Sequence, residues 1–456
     1  MINKLFKNKT FLAAAQFFTL LIFILLVTGA MGVSTDDAAF AKILRNTNLS
    51  NLIVWSYWWP LIIVTAILFG RYWCSICPME LITSFFGKIG LRRKPPKWLK
   101  SGWVITFFYA LILILGIHTF SIHRIPTYMA AYLLILLVVA VLVGFIWEKR
   151  SFCTYVCPIG HLLGLYSMLS FSKLRVKNHE VCKNCTTKDC ISKKNHYKFT
   201  GRSCTSELYP ATLSDNRHCI LCGQCFKSCT HDNISIQKRG IAEDLFKNIR
   251  LSMAEMFFFF MVSGFVIYEI LSEWKPTKDI LLALPHSVNQ NLGIEGPLAG
   301  TVKALILFVL FPLAFYLLWA LLKKLFTGES VRAGLNQLVL AILPLTASMH
   351  LFKAMLKTSS RIPYWKYVWS DPEGVETARR IMTDPSMLHN SFLSSVLSPG
   401  IKAFALVLLI GGFILSIRVI KKQEHANIQS RIITGLASTI YFALFLVSLI
   451  AWEFGS

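Results

Sequence analysis

The sequence predicts a polytopic α-helical membrane protein of about nine transmembrane helices, interrupted by one small cysteine-rich insertion. Three observations carry that prediction. The chain of 456 residues is 55% hydrophobic and only 15% charged, and its mean hydropathy is positive, unlike a soluble domain. Nine stretches approach the roughly 20 apolar residues that cross a bilayer as a helix, near 11–31, 52–70, 103–119, 128–147, 253–271, 301–322, 335–356, 401–418 and 432–452. All 12 cysteines fall between residues 74 and 229, and eight of them crowd into the long polar stretch 173–245.

The first helix follows "MINKLFKNK", a beginning that a cleaved signal peptide would share. Its apolar run is too long for that, and "VTGAMGVSTDD" is a poor cleavage site, so a retained signal-anchor helix is expected. Net charge is +24, and its distribution decides its meaning. Lys4, Lys7 and Lys9 precede the first helix, while Arg71, Lys88, Arg92, Arg93, Lys94, Lys97 and Lys100 follow the second against the single acid Glu80. Lys323, Lys324 and Arg332 follow the sixth helix, and Arg418, Lys421, Lys422 and Arg431 the eighth. The alternate loops 32–51, 272–300 and 357–400 mix both signs. This is the positive-inside pattern of a bacterial or archaeal cytoplasmic membrane. It places the N-terminus and every cysteine-bearing loop in the cytoplasm and the C-terminus outside. The charge is then an orientation signal, and no nucleic-acid partner is expected.

A reducing compartment disfavours disulfides and favours thiolate metal ligation. Cys219, Cys222, Cys225 and Cys229 have spacings of two, two and three, the bacterial ferredoxin pattern in which the fourth thiolate serves a neighbouring [4Fe-4S] cube. A second set, Cys182, Cys185 and Cys190, with Cys204 after a long insertion, lies close by. The crossed assignment gives Cys182, Cys185, Cys190 and Cys229 to one cluster and Cys219, Cys222, Cys225 and Cys204 to the other. Zinc also takes paired cysteines, although the two-two-three run suits a zinc ribbon poorly. Thr230 and Thr205 stand where proline commonly follows the last cysteine, and the first set carries a four-residue gap. Gly223 allows the backbone to turn its amides toward cluster sulfurs.

Four further cysteines reveal an internal repeat. "GRYWCSICPMELITSFFGKIGLRRK" (70–94) and "KRSFCTYVCPIGHLLGLYSMLSFSKLRVK" (149–177) share a basic residue, an aromatic, paired cysteines, proline and an apolar stretch ending in basic residues. Each follows a two-helix hairpin, so two parallel repeats are expected about an axis along the membrane normal. Pro78 and Pro158 are placed to start helices lying on the membrane surface. Cys74, Cys77, Cys153 and Cys157 either converge on a third cluster or metal ion, perform thiol redox chemistry, or serve packing. The domains are therefore 1–172, two membrane repeats; 173–245, a ferredoxin-like two-[4Fe-4S] domain; and 246–456, about five helices with outer loops 272–300 and 357–400.

Cysteine pairs followed by proline after even-numbered helices, then a two-cluster ferredoxin segment, resemble the membrane polyferredoxins over about residues 1–270. That family includes the quinol-dehydrogenase subunit NapH and the C-terminal half of the regulator NosR. Its cysteine pair has three intervening residues: Cys153 and Cys157 match, whereas Cys74 and Cys77 have two. The resemblance implies electron transfer between a membrane quinol and a redox protein partner, or reductive support of a metalloenzyme.

Beyond the resemblance, His118 and His350 are candidate haem b or quinone ligands, with His286 and His389 in the outer loops; packing is the alternative for each. "WSYWW" (55–59) and "PYWKYVW" (363–369) fit aromatic-belt anchors, and Asp36, Asp37, Asp371 and Glu373 are either solvated or face a cationic partner. No c-type haem signature occurs. The expected function is membrane-bound electron transfer between the quinone pool and a protein partner, as the electron-transfer subunit of a multisubunit quinol-linked oxidoreductase. The cofactor carries the chemistry, so no catalytic side chain is required. The alternatives are an accessory protein that supplies electrons to a maturing metalloenzyme, or a membrane redox sensor.

Overall fold

A computed structural model describes residues 2–8, 10–198, 200–423 and 426–454; Lys9 of the basic N-terminal set lies outside them. Among the described residues, eight helices are long and apolar enough to cross a membrane: Phe11–Thr28, Leu49–Phe69, Pro126–Ile146, Met253–Leu271, Gly296–Thr327, Val331–Val368, Leu393–Lys422 and Ile428–Trp452. The remaining expected span, Trp103–Thr119, is a shorter apolar helix whose second half, Ile112–Thr119, widens into a π-helix. The chain is a multi-spanning α-helical membrane protein with an inserted 4Fe-4S-binding region. The eighth expected span, 401–418, is extended by a π-helical turn at Leu393–Leu397 and by Lys421 and Lys422, whose stems can run along apolar surface to the interface.

The mixed-charge loops 32–51, 272–300 and 357–400 contain helices that their charge concealed: Ala38–Thr47, Lys275–Asn291 and Val375–Thr383. Asp37 starts the first by accepting from the Ala39 amide at 2.7 Å, an N-cap. Asp371 likewise accepts from the amides of Gly374 at 3.0 Å and Thr377 at 2.8 Å. Val33, Leu44 and Ala378 form the small core that the helices Ala38–Thr47 and Val375–Thr383 bury.

The chain divides into two compact units, the first comprising 1–28, 64–108 and 130–244, the second 29–63, 109–129 and 245–456. The first holds all 12 cysteines. Its only sheet among the described residues pairs β1 (Ser172–Val176) with β2 (Ile234–Lys238), antiparallel, from Ser172↔Lys238 to Val176↔Ile234. These strands bracket the cysteine-rich loops. Leu174, Val176, Leu221, Phe226 and Ile234 form the core between strands and loops, and Phe6 and Leu12 join it from the N-terminus. Asn3 fixes the N-terminal helix Ile2–Lys7 to β2, accepting from the Ile236 amide at 2.9 Å. Below the sheet, fully buried Asp244 lies 2.5 Å from Arg239 and accepts from the Asn216 amide at 3.0 Å, a buried charge with partners.

In the second unit, Met253–Leu271 and the long helix Val331–Ser359 are the inner members, with 72% of the most apolar window buried in each of the corresponding spans. Ser252 and Glu255 close a capping box at the start of the former, satisfying two orphan amides. Gly264 lets the neighbouring helix approach closely, since a Cβ there would stand 2.6 Å from both the Leu307 carbonyl oxygen and Pro312 Cγ; small residues serve this purpose in membrane helix contacts. Buried Lys323 is satisfied by the side chains of Gln337 and Thr434, the latter at 2.8 Å. Gly264→Ala is expected to cost about 1–3 kcal/mol by overpacking, seen as a lowered unfolding midpoint in detergent, while Gly411→Ala, with open space around its Cβ position, leaves the midpoint unchanged.

Candidate metal centre

Cys182, Cys185, Cys190 and Cys229 line one cavity, with Tyr209 and Asn233 on its wall. The grouping follows from the strand pair: Asn233, at the start of β2, donates from its backbone to Cys229 Sγ at 3.4 Å and from its side chain to Cys182 Sγ at 3.2 Å. One residue therefore ties together thiols 47 positions apart in the chain. Burial and the nearby sulfurs of Cys229, Cys182 and Cys185 push the Cys190 thiol up to about 12. Cys185 is lowered instead, by the Lys188 amide and the Thr187 hydroxyl.

Cys204, Cys219, Cys222 and Cys225 form a second group. Burial, with Cys204 and Cys222, pushes the Cys219 thiol up to about 12 against the opposing Leu221 amide. Cys225 is raised well above its ordinary value by burial and then by Cys222, Cys219, Cys204 and Cys190, so the two groups meet at Cys190 and Cys225. The Cys204 amide also donates to the Cys190 carbonyl at 2.7 Å. The loop holding the second group turns through two left-handed residues, Leu221 at φ 49° and Gly223 at φ 69°. A Cβ on Gly223 would meet Phe6 and Leu12 at 2.8 Å, so the glycine serves both the turn and the close cover by the N-terminal segment.

The repeat cysteines make a third group. Cys77 is raised by burial and by Cys74 and Cys157; Cys153 is raised by burial and by Cys77 and Cys157. The Cys-Pro pair has a local reason. The Glu80 amide donates to the Cys77 carbonyl at 3.1 Å and the Gly160 amide to the Cys157 carbonyl at 2.8 Å. In each repeat the two amides that follow the proline, which itself has no N–H, favour the thiolate of the cysteine before it, although burial still pushes Cys157 up to about 11. Pro78 starts the helix Pro78–Ile89, whereas the helix after Pro158 begins at Gly160. That second helix, Gly160–Ser167, is buried nearly all round and does not lie on lipid as expected. Gly164 lets the Arg217 carbonyl approach to 3.0 Å of its Cβ position, so the cysteine-rich segment covers it.

Positive charge stands between the groups. Arg71 opposes the rise at both Cys157 and Cys219, and donates to the Arg217 carbonyl at 2.7 Å. Arg150, 1% exposed, lies within electrostatic range of both Cys222 and Cys153, whose charges would favour its own. These are the matching basic residues of the two repeats. Burial disfavours the Arg150 charge, but Cys222 and Glu80 hold its pKa above the usual guanidinium range. Glu80, 2% exposed, is paired with Arg150 and, at 2.8 Å, with Arg202. Ser84 donates to it at 2.7 Å and Gln16 donates from the first membrane helix. Burial raises the Glu80 carboxyl, yet Arg150 and Arg202 hold it below the ordinary range.

These groups fit polynuclear clusters better than single ions. Among the described residues no three His, Cys, Asp or Glu side chains gather closely enough to hold one metal ion, as a zinc site requires. Each group supplies four thiols, and in each group buried members such as Cys190, Cys219 and Cys77 are raised by burial and by neighbouring sulfurs, surroundings in which bound cationic metal favours the thiolate.

In the second unit, His118 packs against Phe308 at 4.8 Å and Tyr268 at 5.7 Å, and His350 against Phe265 at 5.9 Å. Both lie within electrostatic range of Glu269; His286 and His389 are exposed. The two aromatic stretches meet each other, with Trp365 Nε1 donating to Tyr57 Oη at 2.5 Å.

Residues 51–97 and 129–177 each match a family model described as a 4Fe-4S binding domain. The matched stretches are the two repeats, carrying Cys74 and Cys77, and Cys153 and Cys157. Two uncharacterised proteins of Methanocaldococcus jannaschii are similar: one is 26% identical over 38% of this chain and 67% of its own length, the other 24% over 38% and 75%. A putative electron transport protein of Escherichia coli, YccM, is 23% identical over 52% of this chain and 70% of its own length. No solved structure matches. The chain is a multi-pass membrane iron–sulfur protein with two [4Fe-4S] clusters, related to proteins of bacteria and archaea.

Glu80→Gln leaves two buried guanidinium groups without a counter-charge, and is expected to cost about 3–5 kcal/mol, measured as a lowered unfolding midpoint. Arg150→Met removes a positive charge beside Cys222 and Cys153. A cluster beside it becomes harder to reduce, with a midpoint potential lower by on the order of 60 mV, one tenfold step for a single electron, read by potentiometric electron paramagnetic resonance.

Proposed function

We propose that the protein passes electrons between the quinone pool and a redox protein partner, with Cys182, Cys185, Cys190 and Cys229 holding one cluster and Cys204, Cys219, Cys222 and Cys225 the other. A [4Fe-4S] cluster, when bound, supplies one-electron transfer. The observation that carries the reading is continuity: the first thiol group meets the second at Cys190 and Cys225, and Arg150 links the second, at Cys222, to the repeat group at Cys153. The chain's own residues thus supply the packing, amide donors and positive charge that set potentials. Cys74, Cys77, Cys153 and Cys157 would hold a third cluster, a reading supported by their shared burial and by the 4Fe-4S family match over the repeats.

The positive-inside pattern supports a cytoplasmic face for the cysteine-bearing segments and an outer C-terminus. The name of the Escherichia coli relative, a putative electron transport protein, favours sustained transfer over a sensor or a maturation factor. Anaerobically purified, oxidised protein in detergent is expected to show cluster reduction signals on addition of a reduced quinone analogue, and none with the oxidised analogue. Absence of any quinol-dependent signal, with dithionite still reducing the clusters, would overturn the quinone link. Iron and acid-labile sulfide of about 12 per chain, falling to roughly eight when Cys153 and Cys157 are both replaced by serine, is the expectation for the third cluster.

A further inference from the structure

The second unit collects positive charge in a way that its mixed-sign loops do not disclose. Arg45, Arg124, Lys303, Lys353, Lys357 and Arg361 come from separate helices and turns, and none is exposed. Arg45 lies within electrostatic range of Arg124 and Arg361, Lys357 of Lys353, Arg45 and Arg361, and Lys303 of Arg124. Two carboxylates answer them. Glu269 lies 3.3 Å from Lys353, which also pairs with Glu273. Glu269 also acts on Lys357 and Arg45, so two carboxylates are shared among six cations, which leaves an excess of four positive charges. Like charges repel more strongly in a partly desolvated setting than in water, so the arrangement is short of negative charge.

It is also short of acceptors. His118 Nε2, His123 Nδ1 and Arg361 Nε are buried without a hydrogen-bond partner. His123 accepts from Arg124 at its other ring nitrogen, at 3.3 Å, which leaves Nδ1 as a donor, with Arg45, Lys357 and His118 within electrostatic range of the ring. His118 itself sits in the π-helical turn Ile112–Thr119, pressed against Gly300, whose Cβ position is 2.1 Å from the His118 carbonyl oxygen. Widened turns of this kind recur at functional sites. Buried donors without acceptors cost free energy unless a ligand supplies acceptors.

We propose that this cluster is a binding site for an oxyanion of the phosphate class, held by Arg45, Arg124, Lys357 and Arg361 with His118 and His123 as further donors. A phosphate oxyanion supplies both the missing charge and several acceptor oxygens, and arginine forks match it in geometry. The group is either a free anion or the headgroup of an anionic phospholipid. The site lies in the unit without cysteines, so the proposal stands or falls independently of the electron-transfer reading.

The test uses the full-length protein in a neutral detergent, with the unfolding midpoint followed while inorganic phosphate replaces chloride at constant ionic strength. The same measurement is made in nanodiscs of phosphatidylcholine with or without phosphatidylglycerol. A saturable rise with phosphate marks a free anion; a rise only with phosphatidylglycerol marks a lipid headgroup. Lys357→Gln and Arg361→Gln are each expected to weaken the apparent affinity roughly 10- to 100-fold, the effect of one charge-assisted hydrogen bond. Lys357→Arg retains it, and the exposed control Arg379→Gln leaves it unchanged. Without phosphate, Lys357→Gln is expected to be at least as stable as the parent because repulsion is relieved. No rise with either probe in the parent protein overturns the proposal, as does an equal loss in Arg379→Gln, and neither outcome depends on the interior variants folding.

Discussion

Thiolates crowded together in an apolar interior repel one another, and burial alone disfavours each of them. The cysteine-bearing unit is organised around countering that cost. Burial and neighbouring sulfurs raise Cys77, Cys153, Cys157, Cys190, Cys219 and Cys225. Against this stand amides from Met79, Glu80, Ile159, Gly160 and Leu221, and the guanidinium groups of Arg71 and Arg150. Bound metal would complete the balance.

The arginines bring their own requirement. A guanidinium as buried as Arg150 needs a carboxylate, and Glu80 meets it while also holding Arg202. Glu80 is anchored in turn by Gln16 of the first membrane helix, whose side chain also donates to the Ser75 carbonyl at 2.9 Å. A chain of hydrogen bonds and ion pairs thus runs from a membrane helix, through the first repeat, to Arg150 of the second, within electrostatic range of Cys222. The thiol groups are thereby held by more than loop conformation.

The sequence made the cysteine groups legible because their spacing is local, and the membrane spans because hydropathy needs no partner. The repeat was visible as an alignment of two segments. Glu80 was legible only as the single acid in a basic loop; its role depends on Arg150 and Arg202, 70 and 122 positions away. The cover that Phe6 and Leu12 place over Gly223 was hidden behind the signal-like N-terminus. The helix Gly160–Ser167 looked amphipathic beside lipid, yet another stretch of chain buries it, which periodicity cannot reveal. The cationic cluster of the second unit was dispersed over some 300 residues, each arginine or lysine unremarkable in its own loop.

The crossed pairing of the two ferredoxin-type cysteine groups is the centre of this account, and Asn233 bridging Cys182 and Cys229 is its geometric sign. The most direct test compares low-temperature electron paramagnetic resonance spectra of reduced protein carrying Cys185→Ser, Cys229→Ser, Cys222→Ser or Cys204→Ser. The account predicts that Cys229→Ser alters the same signal as Cys185→Ser, and that Cys204→Ser alters the same signal as Cys222→Ser. If Cys229→Ser instead alters the signal affected by Cys222→Ser, each cluster is held by consecutive cysteines and the crossed arrangement is wrong.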